Sequence, residues 1–261
     1  MSTLVNANTF CWHELLAADP EAAERFYKAV VGFGTQPWPD PAMKYTILTV
    51  GEEGVGGLMA LPEEAKAMGA PSHWMGTVAV ADVDAAVART RELGGAVHMG
   101  PVDLPNVGRY AVLADPTGCT LSVMSSINPA LTMPDMTLPG RVQWNECWSP
   151  DPDAAFAFYQ ALFGWVEKGS MDMGPMGTYR MFGRPEDGPA MGGFAKKMPQ
   201  MPAGAWAYYI TVPDVDHAAN RIRESGGKVL AGPNDVPGGG RMLQAMDVQG
   251  AMFALYQNPK G

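Results

Sequence analysis

Two stretches of this chain, residues 11–33 and 143–165, share letters at a constant offset of 132 positions. The first reads CWHELLAADPEAAERFYKAVVGF and the second reads QWNECWSPDPDAAFAFYQALFGW. The same offset relates DVDAAVARTRELGG at 82–95 to DVDHAANRIRESGG at 214–227. Because separated segments repeat in the same order, the sequence predicts a duplication of a unit of about 130 residues.

The duplication predicts two domains, at residues 9–125 and 141–258. Between them lies SINPALTMPDMTLPG, a segment rich in proline and small polar residues that shows no hydrophobic periodicity. Such a composition is typical of a linker. We therefore expect a proline-rich linker at 126–140.

Each copy contains two smaller modules. In the first copy, Asp19 and Asp82 each precede a helical pattern with acidic residues in its first turn, where an oxygen acceptor caps free N–H groups. Phe26 and Tyr27 belong to one apolar stripe of the first helix and are expected in the core. Short runs bounded by Gly, Pro or Asp then predict strands. The predicted order is strand, helix and about three strands, four times over.

The charge balance limits the partners. The chain has 18 Lys and Arg residues against 27 Asp and Glu, a net charge of -9, which argues against binding to nucleic acid or an anionic membrane. No apolar run approaches the ~20 residues that span a bilayer, and the N-terminus lacks a secretory signal. The three cysteines have no C-x-x-C spacing and fit reduced thiols. We expect a cytoplasmic monomer or homodimer that binds a small-molecule ligand.

The repeated order carries a family resemblance. The segment DPEAAERFYKAVVGF, the DVDAA helix start and the Asp-Pro-Thr-Gly run at 115–118 resemble the vicinal oxygen chelate superfamily, which includes glyoxalases, bleomycin-resistance proteins and extradiol dioxygenases. The resemblance implies an α+β fold, here a tandem duplication of paired βαβββ modules whose mixed sheets curl into ligand-binding cups. A fold of this kind hosts many functions, so it does not decide the reaction.

Metal-dependent members of that superfamily place His, Glu or Gln ligands on the first and last strands of their modules. The matching positions of this sequence are Trp12, Trp144, Met75, Ala207, Ser122 and Ala254. An indole cannot coordinate a cation, and none of the other side chains is a usual metal ligand. The resemblance therefore implies that these positions hold no metal, and we expect no cofactor.

A shifted register offers an alternative metal site made of His13, Glu14 and His73, which would suit a lyase, isomerase or dioxygenase. His13 lies six residues before Asp19, and His73 lies nine residues before Asp82. Because strand side chains alternate faces, equivalent strands would direct the two rings to opposite sides unless a bulge intervenes. This spacing argues against the alternative.

Trp12 and Glu14 recur as Trp144 and Glu146, whereas His13 is replaced by Asn145. On a strand the Trp and the Glu share one face, which the resemblance identifies as the face of the cup. We therefore predict that both Trp residues bind ligand. The two Glu residues are candidates to bind a cationic or hydroxylated ligand, or to act as catalytic bases.

Four more residues recur at strand-like positions and are candidate ligand-binding residues: Tyr45, Tyr179, Arg109 and Arg241. The Arg pair repeats at the offset of 132 and the Tyr pair at 134. The Glu residues also have a structural interpretation, in which Glu14 or Glu146 pairs with one of these Arg residues to satisfy a buried charge. The residues alone leave both interpretations open.

These observations favour a two-domain protein of glyoxalase and bleomycin-resistance type that binds a small, partly aromatic or apolar molecule without an obligatory metal. The competing hypothesis is an enzyme, either metal-dependent through His13, Glu14 and His73 or metal-free with Glu14 or Glu146 as the base. A third hypothesis is an accessory subunit, which a large exposed apolar patch would support.

Overall fold

The computed structural model of the protein describes residues 7–40, 43–126, 135–185 and 188–259. In these residues, the order strand, helix and three strands occurs four times, with one short extra helix. The first copy contains β1 (Phe10–Ala17), α1 (Pro20–Val30), β2 (Gly34–Pro37), β3 (Tyr45–Val50), β4 (Glu53–Ala60), α2 (Glu63–Ala67), β5 (His73–Ala79), α3 (Val83–Glu92), β6 (Ala96–Leu104), β7 (Gly108–Ala114) and β8 (Thr120–Ser126).

The second copy repeats this order, with a 3-10 turn at Gly174–Met176 as its short extra element. It contains β9 (Val142–Ser149), α4 (Pro152–Phe163), β10 (Val166–Asp172), β11 (Thr178–Gly183), β12 (Gly192–Lys196), β13 (Ala205–Thr211), α5 (Val215–Glu224), β14 (Lys228–Asp235), β15 (Arg241–Met246) and β16 (Met252–Gln257). The predicted α+β class and the tandem duplication are confirmed. Of the linker expected at 126–140, residues 127–134 lie outside the described part of the chain.

The four long helices begin as the sequence predicts. Asp19, Asp82 and Asp151 each accept a hydrogen bond of 3.0 Å from the backbone N–H three residues later, and Asp214 accepts one of the same length from His217. Each carboxylate thereby satisfies an N–H group that the helix itself leaves unpaired. No helix in the described ranges is long and apolar enough to cross a membrane.

The strands form two mixed eight-stranded sheets, in the orders β2-β3-β4-β1-β5-β8-β7-β6 and β10-β11-β12-β9-β13-β16-β15-β14. β1 runs parallel to β4 and places Glu14 opposite Gly57. β9 runs parallel to β12 and places Glu146 opposite Gly193. β3 and β11 pair antiparallel with β4 and β12, respectively. The two copies therefore hold Glu14 and Glu146 in the same setting.

Among the described residues, one compact unit comprises 12–40, 43–75, 135–143 and 207–259. Its core contains the ring of Phe26, which packs edge-on against Tyr27 and Phe253 at 5.1 and 5.8 Å between centroids. Phe26 and Tyr27 are almost fully buried, as their positions on the helical stripe predict. The Tyr27 hydroxyl accepts a hydrogen bond from Trp74 and donates one to Asp247.

Among the described residues, the other compact unit comprises 7–11, 76–126, 144–185 and 188–206. Its core centres on the buried ring of Trp165, which stacks on Phe182 with 4.4 Å between ring centroids. Tyr159 and Trp206 pack edge-on at 5.4 Å in the same cluster. Each unit therefore contains one module from each sequence copy.

Candidate functional site

The first candidate site lies on β1 and β3. Trp12 and Glu14 are two residues apart on β1, so their side chains lie on the same face of the strand. Tyr45, the first residue of β3, contacts both. The indole N–H of Trp12 donates to the Tyr45 hydroxyl at 2.7 Å, and that hydroxyl donates to Oε2 of Glu14 at 3.1 Å. We call Trp12, Tyr45 and Glu14 the first triad.

The second candidate site repeats this geometry on β9 and β11. The indole N–H of Trp144 donates to the hydroxyl of Tyr179 at 2.8 Å. That hydroxyl donates to Oε1 of Glu146 at 2.7 Å. We call Trp144, Tyr179 and Glu146 the second triad. The structure thus brings together six residues that the sequence predicted separately, three in each copy.

The hydrogen-bond chemistry fixes the direction of both triads. An indole nitrogen can only donate, whereas a tyrosine hydroxyl has one donor and two acceptor positions. Since the hydroxyl accepts from the indole, its own proton is directed to the carboxylate. In the second triad, burial and then the charge of Glu146 raise the pKa of Tyr179 well above its usual value. Its hydroxyl therefore remains a protonated donor at neutral pH.

In each triad a buried glutamate lies beside half-buried aromatic side chains. Glu14 and Glu146 are 9% and 5% exposed, respectively. Both tryptophans and both tyrosines are half-buried. A half-buried indole beside a buried carboxylate offers apolar contact area together with a strong hydrogen-bond acceptor. This combination suits a molecule with a flat apolar part and a donor or cationic group.

A glycine on the neighbouring strand makes room for each tyrosine. A Cβ atom at Gly57 would overlap the hydroxyl of Tyr45, and one at Gly193 would overlap the ring and hydroxyl of Tyr179. Only a residue without a side chain allows the phenol to cross the strand here. The sequence shows these glycines as a repeated Gly-Gly pair, at 56–57 and 192–193, but not their steric role.

An open cavity of about 730 Å³ lies beside Tyr45. Its lining is mostly apolar or aromatic and consists of Pro20, Glu21, Pro37, Trp38, Pro39, Met43, Lys44, Tyr45, Thr46, Leu58, Met59 and Ala60. The ring of Trp38 stands perpendicular to that of Tyr45, with 6.0 Å between centroids. Trp38 was not among the predicted site residues, because the second copy has no tryptophan at the corresponding offset.

The two candidate arginines form ion pairs with aspartates. Arg109 contacts Asp84 at 2.6 Å and Asp103 at 2.9 Å. Arg241 contacts Asp235 at 3.0 Å and also pairs with Asp216. The structural interpretation in which these arginines neutralise Glu14 or Glu146 is therefore wrong. Each arginine instead ties the first turn of α3 or α5 to the adjacent hairpin.

The alternative metal set of His13, Glu14 and His73 does not assemble. His13 and Glu14 are successive on β1, so their side chains lie on opposite faces, and the His13 ring packs edge-on against Tyr208 at 4.9 Å. His73 Nδ1 lies 2.8 Å from the Pro71 carbonyl oxygen, and burial lowers its pKa. Among the described residues, these three do not form a group whose ligand atoms lie within 4.8 Å of one another.

The fold and its internal repeat define a tandem member of one superfamily. The model of the Glyoxalase/Bleomycin resistance protein/Dioxygenase superfamily matches residues 10–123 and 141–255. The chain belongs to this superfamily, which confirms the resemblance seen in the sequence.

Relatives of similar length extend this result. CFP32 of Mycobacterium tuberculosis, which its name assigns provisionally to the glyoxylases, is 32% identical over 94% of this chain and 93% of its own. DauV of Streptomyces sp. (strain C5), named an anthracycline biosynthesis protein, is 27% identical over 94% of this chain and 92% of its own. This chain is similar to both proteins along nearly its whole length.

Two solved structures show the same fold. A Mn(II)-bound glyoxalase from Novosphingobium aromaticivorans matches with a TM-score of 0.64, 17% identity, and coverage of 98% of this chain and 83% of its own. Homoprotocatechuate 2,3-dioxygenase from Arthrobacter globiformis matches with a TM-score of 0.66 and 16% identity. The match covers 97% of this chain and 80% of the dioxygenase chain. At these identities the likeness concerns the fold alone.

The residues at the positions that the family resemblance associates with metal ligands do not fit a divalent cation in this chain. The indole N–H groups of Trp12 and Trp144 donate hydrogen bonds to tyrosine hydroxyls. An indole nitrogen is a donor only, so it cannot coordinate a metal ion. The Ser122 hydroxyl lies 2.6 Å from that of Thr77 and is buried. The remaining positions carry the buried apolar residues Met75, Ala207 and Ala254. We therefore assign no metal to the triads.

Proposed function

We propose that this protein binds a small, partly aromatic or apolar molecule at its triads, as a glyoxalase and bleomycin-resistance-type protein without an obligatory metal. One observation carries the proposal: both copies build the same bonded Trp, Tyr and Glu. The histidine that could have ligated a metal in the first copy is Asn145 in the second, where its side chain donates to the Met191 carbonyl oxygen. The repeated feature is thus the aromatic and acidic surface.

The geometry indicates the chemical class of the ligand. The half-buried indoles offer flat surfaces, and the carboxylates accept hydrogen bonds from a hydroxyl or ammonium group. The 730 Å³ cavity beside Tyr45 is within the range that accommodates small organic ligands. The similarity to DauV, whose name refers to anthracycline biosynthesis, supports testing anthracycline-type polycyclic aromatics as ligands.

A second candidate is a metal-free enzyme in which Glu14 or Glu146 is the base. The observation that favours it is the tyrosine hydroxyl beside each carboxylate. A base and a protonated donor so close together could remove one proton and stabilise the developing negative charge. Turnover would distinguish this candidate from binding alone.

We also propose that the protein is cytoplasmic, is a monomer or homodimer, and binds no nucleic acid. The net charge of -9 supports this, because nucleic-acid binding requires clustered positive charge. The thiols of Cys11, Cys119 and Cys147 are all free in the structure, which suits a reducing compartment.

The test is an equilibrium titration of chelator-treated protein with candidate ligands. Calorimetry and tryptophan fluorescence monitor the binding. The ligands are polycyclic aromatics with an amino group, their neutral analogues, and a small aliphatic α-keto aldehyde. We expect aromatic amines to bind without added metal, and Glu14→Gln and Glu146→Gln each to weaken one site. Binding that requires added divalent cation, or that neither variant changes, would contradict the proposal. Conversion of a ligand by metal-free protein would favour the second candidate.

A further inference from the structure

A second cluster of polar groups, which shares no residue with the triads, lies in the unit that contains residues 76–126 and 144–185. Asp115 follows β7, Cys119 immediately precedes β8, and Cys147 lies on β9. Asp115 is 3% exposed and both cysteines are fully buried. One carboxylate oxygen and the two sulfur atoms lie within 4.8 Å of one another. We call these three residues the Asp-Cys-Cys cluster.

Only one of the two carboxylate oxygens of Asp115 accepts hydrogen bonds from the described residues. Its Oδ1 atom accepts hydrogen bonds from the Thr117 N–H at 2.7 Å, the Thr117 hydroxyl at 2.6 Å and the Cys119 N–H at 3.1 Å. Its Oδ2 atom is buried and has no hydrogen-bond partner among the described residues. An unpartnered buried carboxylate oxygen is costly, so it points to a missing partner.

The other compact unit supplies a comparison, in which each residue lies at the same offset of 132. There the turn carboxylate is Asp247, and its Oδ1 likewise accepts from the N–H groups of Gln249 and Ala251. Its Oδ2 atom, however, accepts from the Tyr27 hydroxyl at 3.3 Å. Where Cys119 and Cys147 stand, that unit has Ala251 and Leu15. The unit without these two cysteines therefore satisfies its carboxylate from within the protein.

In the unit that contains the two cysteines, the counterpart of Tyr27 is Tyr159, and its hydroxyl donates to the Cys119 carbonyl oxygen at 3.2 Å. A cation bound among the three groups would supply the partner that Oδ2 of Asp115 lacks among the described residues.

We propose that Asp115, Cys119 and Cys147 form a structural site for a thiophilic divalent cation, with Zn²⁺ as the best-suited ion. Two thiolates and one carboxylate are a donor set that favours zinc over magnesium or calcium. Two ligands at about 2.3 Å in tetrahedral geometry are separated by roughly 3.8 Å. Spacings within 4.8 Å therefore need only small shifts to close around the ion.

The surroundings of the cluster fit a closed structural site rather than a catalytic one. The Cys119 sulfur lies 3.6 Å from the Trp148 carbonyl oxygen, which is the nearest candidate for a fourth ligand. A Cβ atom at Gly204 would lie 2.7 Å from the same sulfur, so the glycine keeps space beside it. Bound metal would tie the turn at 115–119 to β9, which belongs to the other sequence copy.

This inference does not rest on the proposed ligand-binding function. Glu146 and Cys147 are successive on β9, so the strand directs the acidic side chain and the sulfur to opposite faces. A failure to find metal in the cluster would leave the triads unaffected. Equally, a failure to find ligand binding would leave the cluster unaffected.

The test uses the full-length protein, produced with zinc in the medium and purified under a thiol reductant. Elemental analysis is done on the wild type, on Cys119→Ala/Cys147→Leu, and on Cys11→Ala as the matched cysteine control. The double variant carries the residues that the other compact unit has at these positions, Ala251 and Leu15, and circular dichroism checks its folding. Asp115→Asn retains an oxygen for the turn and removes the charge.

We expect about one zinc ion per chain in the wild type and in Cys11→Ala, and less than about a tenth of an ion in the double variant. Asp115→Asn should weaken zinc binding on the order of 10-fold or more. Cobalt exchanged into the wild type should show thiolate-to-cobalt absorption bands, a readout that needs no variant. Folded, reduced wild type without zinc, zinc retained in the double variant, or a Cys119 to Cys147 disulfide under reductant would each overturn the proposal.

Discussion

The hydroxyl of Tyr179 on β11 donates a hydrogen bond of 2.7 Å to Glu146 on β9, and Tyr45 on β3 donates in the same way to Glu14 on β1. In each case a tryptophan supplies the second bond to the hydroxyl. The tyrosine is thus the residue that fixes the position of its buried carboxylate. Removing the hydroxyl should therefore affect both stability and ligand binding.

We expect Tyr179→Phe to lower the free energy of unfolding by about 1–2 kcal/mol, because it removes the acceptor of the Trp144 N–H and one hydrogen bond to the buried Glu146. It should also weaken ligand binding at the second triad by about 10-fold, since an incorrectly placed carboxylate binds less well. Tyr45→Phe should weaken only the first triad. Urea unfolding and calorimetric titration measure the two effects.

Tyr27→Phe is the matched control for these variants. The Tyr27 hydroxyl is buried, accepts a hydrogen bond of 2.8 Å from Trp74 and donates one of 3.3 Å to Asp247, but it belongs to neither triad. Its loss should reduce stability by a similar amount and leave ligand affinity unchanged. If Tyr27→Phe weakened binding as much as Tyr179→Phe, the effect on affinity would be one of general stability.

The glycine beside each tyrosine gives a second prediction. Gly193→Ala should push the Tyr179 ring off the strand and cost about 1–3 kcal/mol of stability, because a methyl group would overlap the phenol. In a Tyr179→Ala background the same change should cost much less, since the overlapping ring is gone. A double-mutant cycle of unfolding free energies measures the difference. Equal costs in both backgrounds would show that the glycine is needed for another reason.

The sequence predicted those features that depend on local periodicity and on comparison of the two copies. The side chains of Trp12 and Glu14 share a face because strand positions alternate, and the copies show both residues retained. The bond from Tyr45 to Glu14 depends on the pairing of β3 with β4 and of β4 with β1. That register between distant segments cannot be obtained from spacing along the chain.

The arginines show a signal that was present in the sequence and was misinterpreted. Asp84 and Asp103 recur as Asp216 and Asp235 at the same offset of 132 as Arg109 and its counterpart. These aspartates repeat together with the arginines, and they are the residues with which the arginines form ion pairs. By contrast, Cys119 and Cys147 lie 28 residues apart in different copies, so only the fold could place them together.

The turn carboxylate Asp247 predicts a pH dependence of stability. Burial raises its pKa, so the folded protein binds this proton more tightly than the unfolded chain, whose value is about 3.9. Its contribution to stability should therefore be greatest below about pH 4 and fall as the pH rises through the folded pKa. Asp247→Asn keeps an oxygen that can accept from the N–H groups of Gln249 and Ala251 and removes the titration.

The measurement is urea unfolding of wild type and Asp247→Asn between about pH 4 and 7. The free energy of unfolding of the wild type, relative to that of the variant, should decrease as the pH rises. Subtracting the variant cancels the other carboxylates that titrate in this range. A flat difference, or one that grows with pH, would show that burial does not dominate the pKa of Asp247.

The buried ring of Trp165 tests how specific the core packing is. It stacks on Phe182, and its indole N–H donates to the Asn8 carbonyl oxygen at 2.7 Å. Trp165→Ala should cost about 3–5 kcal/mol, because it opens a large cavity. Trp165→Phe introduces the residue of the other copy, Phe33, and should cost less, mainly through the lost hydrogen bond. Urea unfolding, monitored by circular dichroism, measures the stability of both variants. An equal loss of unfolding free energy in the two variants would show that the aromatic ring contributes little beyond its hydrogen bond.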